Sequence, residues 1–200
     1  MNRSITDSLG TDLPFPREEY EARWTRVYQA MSQLDLPALV VWQKSGGSFD
    51  RAGDVLWLTN YASIASGQEP PQPGVGTGRA HAAVLMRPDH EPEVHIVDSV
   101  AGTDLTQLAT GALFGHFDLA EGLASRISAL GLTGEIGYVG DNFLPAQLYR
   151  ALVAQTPQIT WTPVDDLLVQ LQMVKSDREL EVFREAGVVV SRSLDVLMTS

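Results

Sequence analysis

Apolar positions recur in three distinct rhythms along this chain, and each predicts a different kind of element. Near the start, Pro16 opens a helix whose Glu18 and Glu19 suit its positive end and whose Tyr20, Trp24, Val27, Met31 and Leu34 form a buried stripe; Pro37 ends it. In the next stretch the rhythm shortens. "ALVVW" (38–42) and "VLWLTNY" (55–61) are compact runs of β-branched and aromatic residues and read as strands, the first of them central, while "AHAAVLMR" (80–87) and "EVHIVD" (93–98) flank the turn-forming "PDHEP" as a hairpin. After residue 115 strands and helices alternate. Asp118 and Glu121 cap a helix lined by Leu119, Leu123, Ile127 and Leu130, with Gly131 placed for a left-handed C-terminal stop. "EIGYVG" (135–140) is a strand, "PAQLYRALVAQ" (145–155) a helix, "ITWTPV" (159–164) a strand, and Asp165 caps "DLLVQLQMV". Such alternation lays parallel strands beneath covering helices. The expected fold is α/β: a mixed sheet flanked by helices, of the ribonuclease-H-like kind.

The last stretch, "MVKSDRELEVFREAGVVVSRSLDVLMTS" (173–200), raises a separate question. Ser176 and Glu179 make a capping box, in which the hydroxyl accepts an amide of the first turn and the carboxylate reaches back. Beyond it Leu180, Phe183, Gly187, Val190, Leu194 and Leu197 recur at alternating spacings of three and four, a single apolar stripe. No Gly, Asn or Pro follows Leu197 to stop the helix. The expectation is that this stripe belongs against a further domain.

Composition narrows the function. There are 25 acidic and 14 basic residues for a net charge of −11, and the basic residues are scattered singly. A phosphate backbone attracts concentrated positive charge, so nucleic acid is a poor partner, and anionic membranes are disfavoured for the same reason. Zero cysteines exclude disulfides, thiolate ligands and a thiol nucleophile. The segment "MNRSITDSLGTDLPFP" has no apolar signal core, and no run approaches the length of a membrane helix, so the expected compartment is the cytoplasm.

Candidate chemistry is sparse. "SIASGQEPPQPGVGTG" (63–78) carries four Gly and three Pro in sixteen positions, the composition of a functional or mobile loop. Its "GVGTG" lacks the following helix that a phosphate loop requires. His81, His90, His95 and His116 have no helical ligand spacing, and strand or surface histidines are the plainer reading. Asp165 and Asp166 could pair as acid and base, although a helix cap and its neighbour explain them as well. There is no G-x-S-x-G elbow and no H-E-x-x-H. No catalytic or metal-ligating residue is assigned to this chain.

Two motifs then bring in a family. "VKSDRELEVFREAG" (174–187) resembles the junction motif of the creatinase, prolidase and aminopeptidase P enzymes, Lys-Ser-x-x-Glu-(Leu/Ile)-x-x-x-(Arg)-x-Ala, which opens the first helix of their catalytic domain. "VLWLTNY" resembles a strand of their smaller N-terminal domain, with Asn60-Tyr61 in place of a Gly-aromatic pair, and Gln172 stands where an Arg is frequent. The resemblance runs from about Phe15 onward. It implies a loose segment over 1–14, a creatinase/prolidase N-terminal-type domain over 15–172, and over 173–200 the junction and first helix of an absent "pita-bread" catalytic domain.

The resemblance also implies a chemistry and a division of labour. The absent domain would hold a divalent metal centre (Mn, Co or Zn) on two Asp, a His and two Glu, lowering the pKa of a water for attack on a C–N bond. This half would be non-catalytic, supplying dimer contacts and an active-site lid to a hydrolase of Xaa-Pro peptides or creatine-like substrates. Its partners would be its own C-terminal catalytic domain, a second copy in a homodimer, and a peptide or small C–N substrate. "TGRAHAAVLM" (77–86) resembles a stretch of creatinase whose Arg reaches a substrate carboxylate across the dimer interface, so Arg79 and, after it, His81 are the candidate substrate-binding residues. A guanidinium suits that task because it binds a carboxylate bidentately. Two rivals remain at this point: a stand-alone peptide- or protein-binding module of the same fold, and a ribonuclease-H-like nuclease, for which Asp98 is the clear strand-end carboxylate.

Overall fold

In the computed structural model, which describes residues 12–44, 53–62, 81–97 and 105–199, helix α1 spans Arg17–Gln33 behind Pro16. Its buried stripe is Tyr20, Trp24, Val27 and Met31, joined by Arg23. The helix stops ahead of Pro37, because Asp35 turns left-handed (φ 54). Leu36 N–H then reaches Met31 O at 3.0 Å and Asp35 N–H reaches Ser32 O at 3.3 Å, the paired bonds of a Schellman stop. Leu34 therefore sits at the cap and is exposed instead of buried.

Strand β1 (Leu39–Lys44) follows, then helix α2 (Gly53–Thr59). Here the structure corrects the expectation of a strand over 55–61. Val55, Leu58 and Thr59 are buried while Leu56 is exposed, the spacing of a helix face. Asp54 lies in the first turn, and Asn60, left-handed at φ 57, ends the helix with its amide on Leu56 O. The two helices are locked together: Trp24 Nε1 donates to Leu58 O at 2.8 Å, and Arg23 donates to Trp57 O at 2.7 Å. The Arg23 guanidinium lies 4.8 to 5.2 Å from the centres of the Phe15, Tyr20 and Trp57 rings, which explains how a charged group tolerates burial.

β2 (His81–Met86) and β3 (Glu93–Ile96) form the expected antiparallel hairpin, with Ala82 opposite Ile96 and Leu85 opposite Glu93. A strand that the sequence does not predict, β4 (Ala112–Gly115), then pairs parallel with β3. Four residues with Phe114 as the single strong strand former give little periodic signal. After it come α3 (Leu119–Ala129), β5 (Gly134–Val139), α4 (Ala146–Gln155), β6 (Ile159–Pro163), α5 (Asp165–Met173) and α6 (Asp177–Thr199). Asp118 Oδ1 accepts from Glu121 N–H at 3.0 Å, and Gly131 (φ 66) closes α3 with its amide on Ser128 O, both as the sequence indicates. Asp165, by contrast, is the first residue of α5 and not its cap; its carboxylate accepts from Gly140 N–H at 2.9 Å.

The six strands form one mixed sheet in the order β4-β3-β2-β1-β5-β6, in which only β2 runs against the rest. β1 is interior, and its Leu39 to Trp42 are fully buried on both faces. One face carries Val40, Trp42, Ala83 and Leu85 against Leu119, Leu123 and Ile127 of α3 and Leu148 and Leu152 of α4. The alternating residues face α1 and α2. The chain divides into two compact units, Met1–Leu168 and Val169–Ser200. In the second, the capping box of α6 is formed: Glu179 N–H donates to Ser176 Oγ at 3.2 Å, and Ser176 N–H to Glu179 Oε2 at 2.8 Å.

Candidate functional site

Because β2 runs against its neighbours, His81 at its start lies level with the carboxyl ends of β1 and β3, in register with Lys44. Its imidazole is buried. Arg79 and the Gly/Pro-rich segment 63–78 that precedes it lie outside the described residues, as does Asp98. The carboxyl edge of such a sheet is where α/β proteins commonly place ligands. At the β5 end of that edge Tyr138 donates to Asp141 Oδ1 at 2.6 Å, and burial, with Asp141 beside it, pushes the phenol above its ordinary range.

The most concentrated chemistry lies between β3 and α3, and sequence spacing did not show it. Glu93 and His95 alternate with Val94 and Ile96, so both side chains point to the α3 face, in register with Leu85 and Ala83. The Glu93 carboxylate accepts from Arg126 Nε at 2.7 Å and Arg126 Nη2 at 2.8 Å, a bidentate pair, and from Arg87 Nη2 at 2.8 Å. His95, fully buried, bonds His116 through Nδ1···Nε2 at 2.8 Å, with the two rings nearly parallel. His95 Nε2 stands 3.7 Å from Glu93 Oε2, too long for a hydrogen bond, and has no other partner among the described residues. Phe114 stacks on His95 on one side, and Arg126 lies over Phe114.

Burial alone would raise the Glu93 pKa, but Arg126, His95 and Arg87 outweigh it and hold the carboxyl well below the usual carboxylate range. Burial pushes both imidazoles down; for His116 burial and then the neighbouring His95 bring it to about 4. Glu93 is thus an anion between two guanidiniums, and the histidines are neutral at pH 7. This arrangement does not fit a divalent metal. Both Glu93 oxygens are taken by arginines, and one nitrogen of each imidazole is spent on the other ring. Among the described residues no group of three His, Asp or Glu side chains could hold a metal ion. The cluster can store a proton or fix α3 on the sheet; it offers no nucleophile.

The signal that could have found it is a polar pair, Glu93 and His95, on the inward face of a strand buried on both sides. Each such group needs a partner from a covering element.

No family model and no curated protein matches the sequence. Solved structures do match. An Xaa-Pro dipeptidase from Bacillus anthracis superposes with a TM-score of 0.63 at 12% identity over 90% of this chain, which spans 43% of that protein's length. The N-terminal domain of the cytoplasmic peptidase PepQ from Mycobacterium tuberculosis H37Rv matches with a TM-score of 0.55 at 13% identity, over 75% of this chain and 98% of that one. An Xaa-Pro aminopeptidase from Streptococcus pyogenes gives 0.56 at 14% identity, over 77% and 98%. The chain therefore has the α/β fold of the N-terminal domain found in Xaa-Pro peptidase structures. No helix among the described residues is long and apolar enough to cross a membrane.

Proposed function

We propose that this chain is the non-catalytic N-terminal domain of a metal-dependent hydrolase of C–N bonds, acting on Xaa-Pro peptides or creatine-like substrates in the cytoplasm. The observation that carries the reading is the structural match: nearly all of an excised peptidase N-terminal domain is reproduced here, and the whole dipeptidase is more than twice as long. On this reading residues 15–172 form the N-terminal domain and 173–200 begin the catalytic one.

Helix α6 supports that assignment. Its stripe is exposed, from 37% at Leu180 to 72% at Leu197, and Val182, Val189 and Val196 widen it on one side. A face that broad is the pattern of a helix packed into a globular core and exceeds the narrow seam of a two-stranded coiled coil. The metal ions, Mn, Co or Zn, would belong to residues of the catalytic domain.

The finer roles rest on the family resemblance. The domain contributes to a homodimer and leans over the partner's active site as a lid, with Arg79 and, after it, His81 binding a substrate carboxylate. The test is the reading frame after Ser200. Two Asp, one His and two Glu at pita-bread spacings there support the hydrolase; a stop codon favours a stand-alone binding module of the same fold. Given the longer protein, Arg79→Ala should raise KM for a substrate bearing a free carboxylate far more than for its amide. An equal effect on both removes Arg79 from the pocket.

A further inference from the structure

The pair of buried His95 and half-buried His116 is not used by the proposed peptidase role, yet it sits where it can control the edge of the sheet. β4 is the terminal strand of the described sheet and pairs with β3 over four residues. Its other ties are His116 N–H to Ile96 O at 2.8 Å, Phe114 stacked on His95 and beneath Arg126, and, just before the strand, Thr110 Oγ1 to Pro92 O at 2.6 Å and Gly111 N–H to Glu91 Oε2 at 3.3 Å. The His116 ring is also pressed against the first turns of α3, since a Cβ at Gly122 would fall on that ring, 2.7 Å from Cε1 and closer to Nδ1 and Cγ. His116 thus touches β3 through His95 and α3 through Gly122.

We propose that His95 and His116 are an acid-sensitive latch: as neutral imidazoles they tie β4 and the opening of α3 to the body of the sheet, and protonation loosens and then breaks that tie. The proton count decides the outcome. In the neutral pair one N–H faces one lone pair across 2.8 Å. With His95 protonated on Nε2, toward Glu93, its Nδ1 accepts from His116 Nε2–H. One added proton preserves a single N–H···N bond but places a charge in a buried site; a second sets N–H against N–H and destroys the bond.

The charged groups around the pair favour this reading. From β3 there is Glu93, already neutralised by two arginines; from the β2–β3 turn Arg87; and from α3 Arg126, which is repulsive to a second cation. Ala83 of β2 and the residues of β4 bring no charge. At the start of α3 the Asp118 carboxylate accepts the Glu121 amide. Glu93, with Oε2 3.7 Å from His95 Nε2, pulls toward an imidazolium there, and burial of the ring outweighs that pull.

The experiment is hydrogen exchange on the 200-residue chain, read at the β4 amides and corrected for intrinsic rate, with an NMR titration of both imidazoles. Between pH 7 and pH 4.5 the opening constant of β4 should rise about tenfold, a value reduced for the partial exposure of His116. In His116→Gln that rise should shrink to the part that buried His95 contributes alone. In the wild type, which needs no variant to fold, both rings should stay neutral at pH 6 with protons on Nε2. An imidazole that titrates at 6.5 or above, or β4 opening with the same pH dependence in the variant, overturns the latch.

Discussion

Replacing Gly122 with alanine sets two physical effects of opposite sign against each other. In a helix interior, alanine is favoured over glycine by about 1 kcal/mol because glycine loses more backbone freedom on folding. At this position, however, the new Cβ would occupy the space of the His116 ring. The ring must leave, and with it goes the 2.8 Å bond to fully buried His95, whose Nδ1 is then unsatisfied. An unsatisfied buried polar atom costs about 1–3 kcal/mol, and repacking around the displaced ring costs roughly as much again. The net is a loss of about 3 kcal/mol, or a fall in Tm of roughly 6–12 °C for a domain of this size.

Circular dichroism melts would read it, with Gly187→Ala as the matched control. Gly187 lies in α6 with nothing near its missing Cβ, so alanine there should raise helix stability by up to about 1 kcal/mol. In a His116→Ala background, Gly122→Ala should become neutral or stabilising, because the obstruction is gone. A Gly122→Ala protein that melts as high as the parent, or higher, refutes the packing described between β4 and α3.

Other outcomes derive from the same geometry. Gly140→Ala should lose about 2 kcal/mol or more, since φ is 113 and the Cβ would stand 2.8 Å from Phe143 Cζ and 3.0 Å from Trp42 Cβ; urea denaturation measures it. Ser176→Ala should cost α6 about 1 kcal/mol and speed amide exchange in its first turn, with Glu179 N–H the most affected. Glu93→Gln should destabilise by roughly 3 kcal/mol at pH 7, because it leaves Arg126 and Arg87 without their anion. The pH dependence has a fixed sign: the folded Glu93 carboxyl lies below its ordinary 4.5, so its contribution is present above that pH and is lost as the pH falls beneath it. Glu93→Gln should flatten that acid limb; an unchanged slope contradicts the bidentate pair.

The parts of the fold that are legible in the sequence are those whose cause is local. Caps and stripes depend on residues within one or two turns, which is why α3 and the start of α6 can be read almost residue by residue, whereas for α1 the pattern predicts an end at Pro37 with Leu34 buried, and the helix instead stops at left-handed Asp35 with Leu34 exposed. Helix α2 is misread because "VLWLT" satisfies strand composition, and its helical spacing spans too few residues to outweigh it; the telling residues are Asp54 and the left-handed Asn60. The Glu93–His95–His116–Arg126 cluster joins positions 21 and 33 apart across two strands and a helix, so no local spacing announces it. Arg79, taken from family resemblance, lies outside the described residues and stands as a proposal.

On the proposed function this chain supplies the N-terminal half of a peptidase and none of its chemistry. The most direct test incubates the 200-residue protein with Mn, Co or Zn and an Xaa-Pro dipeptide, and tracks release of proline. No turnover above the metal-only control is expected, and no stoichiometric metal binding by calorimetry. Metal-dependent proline release that scales with protein concentration would contradict it.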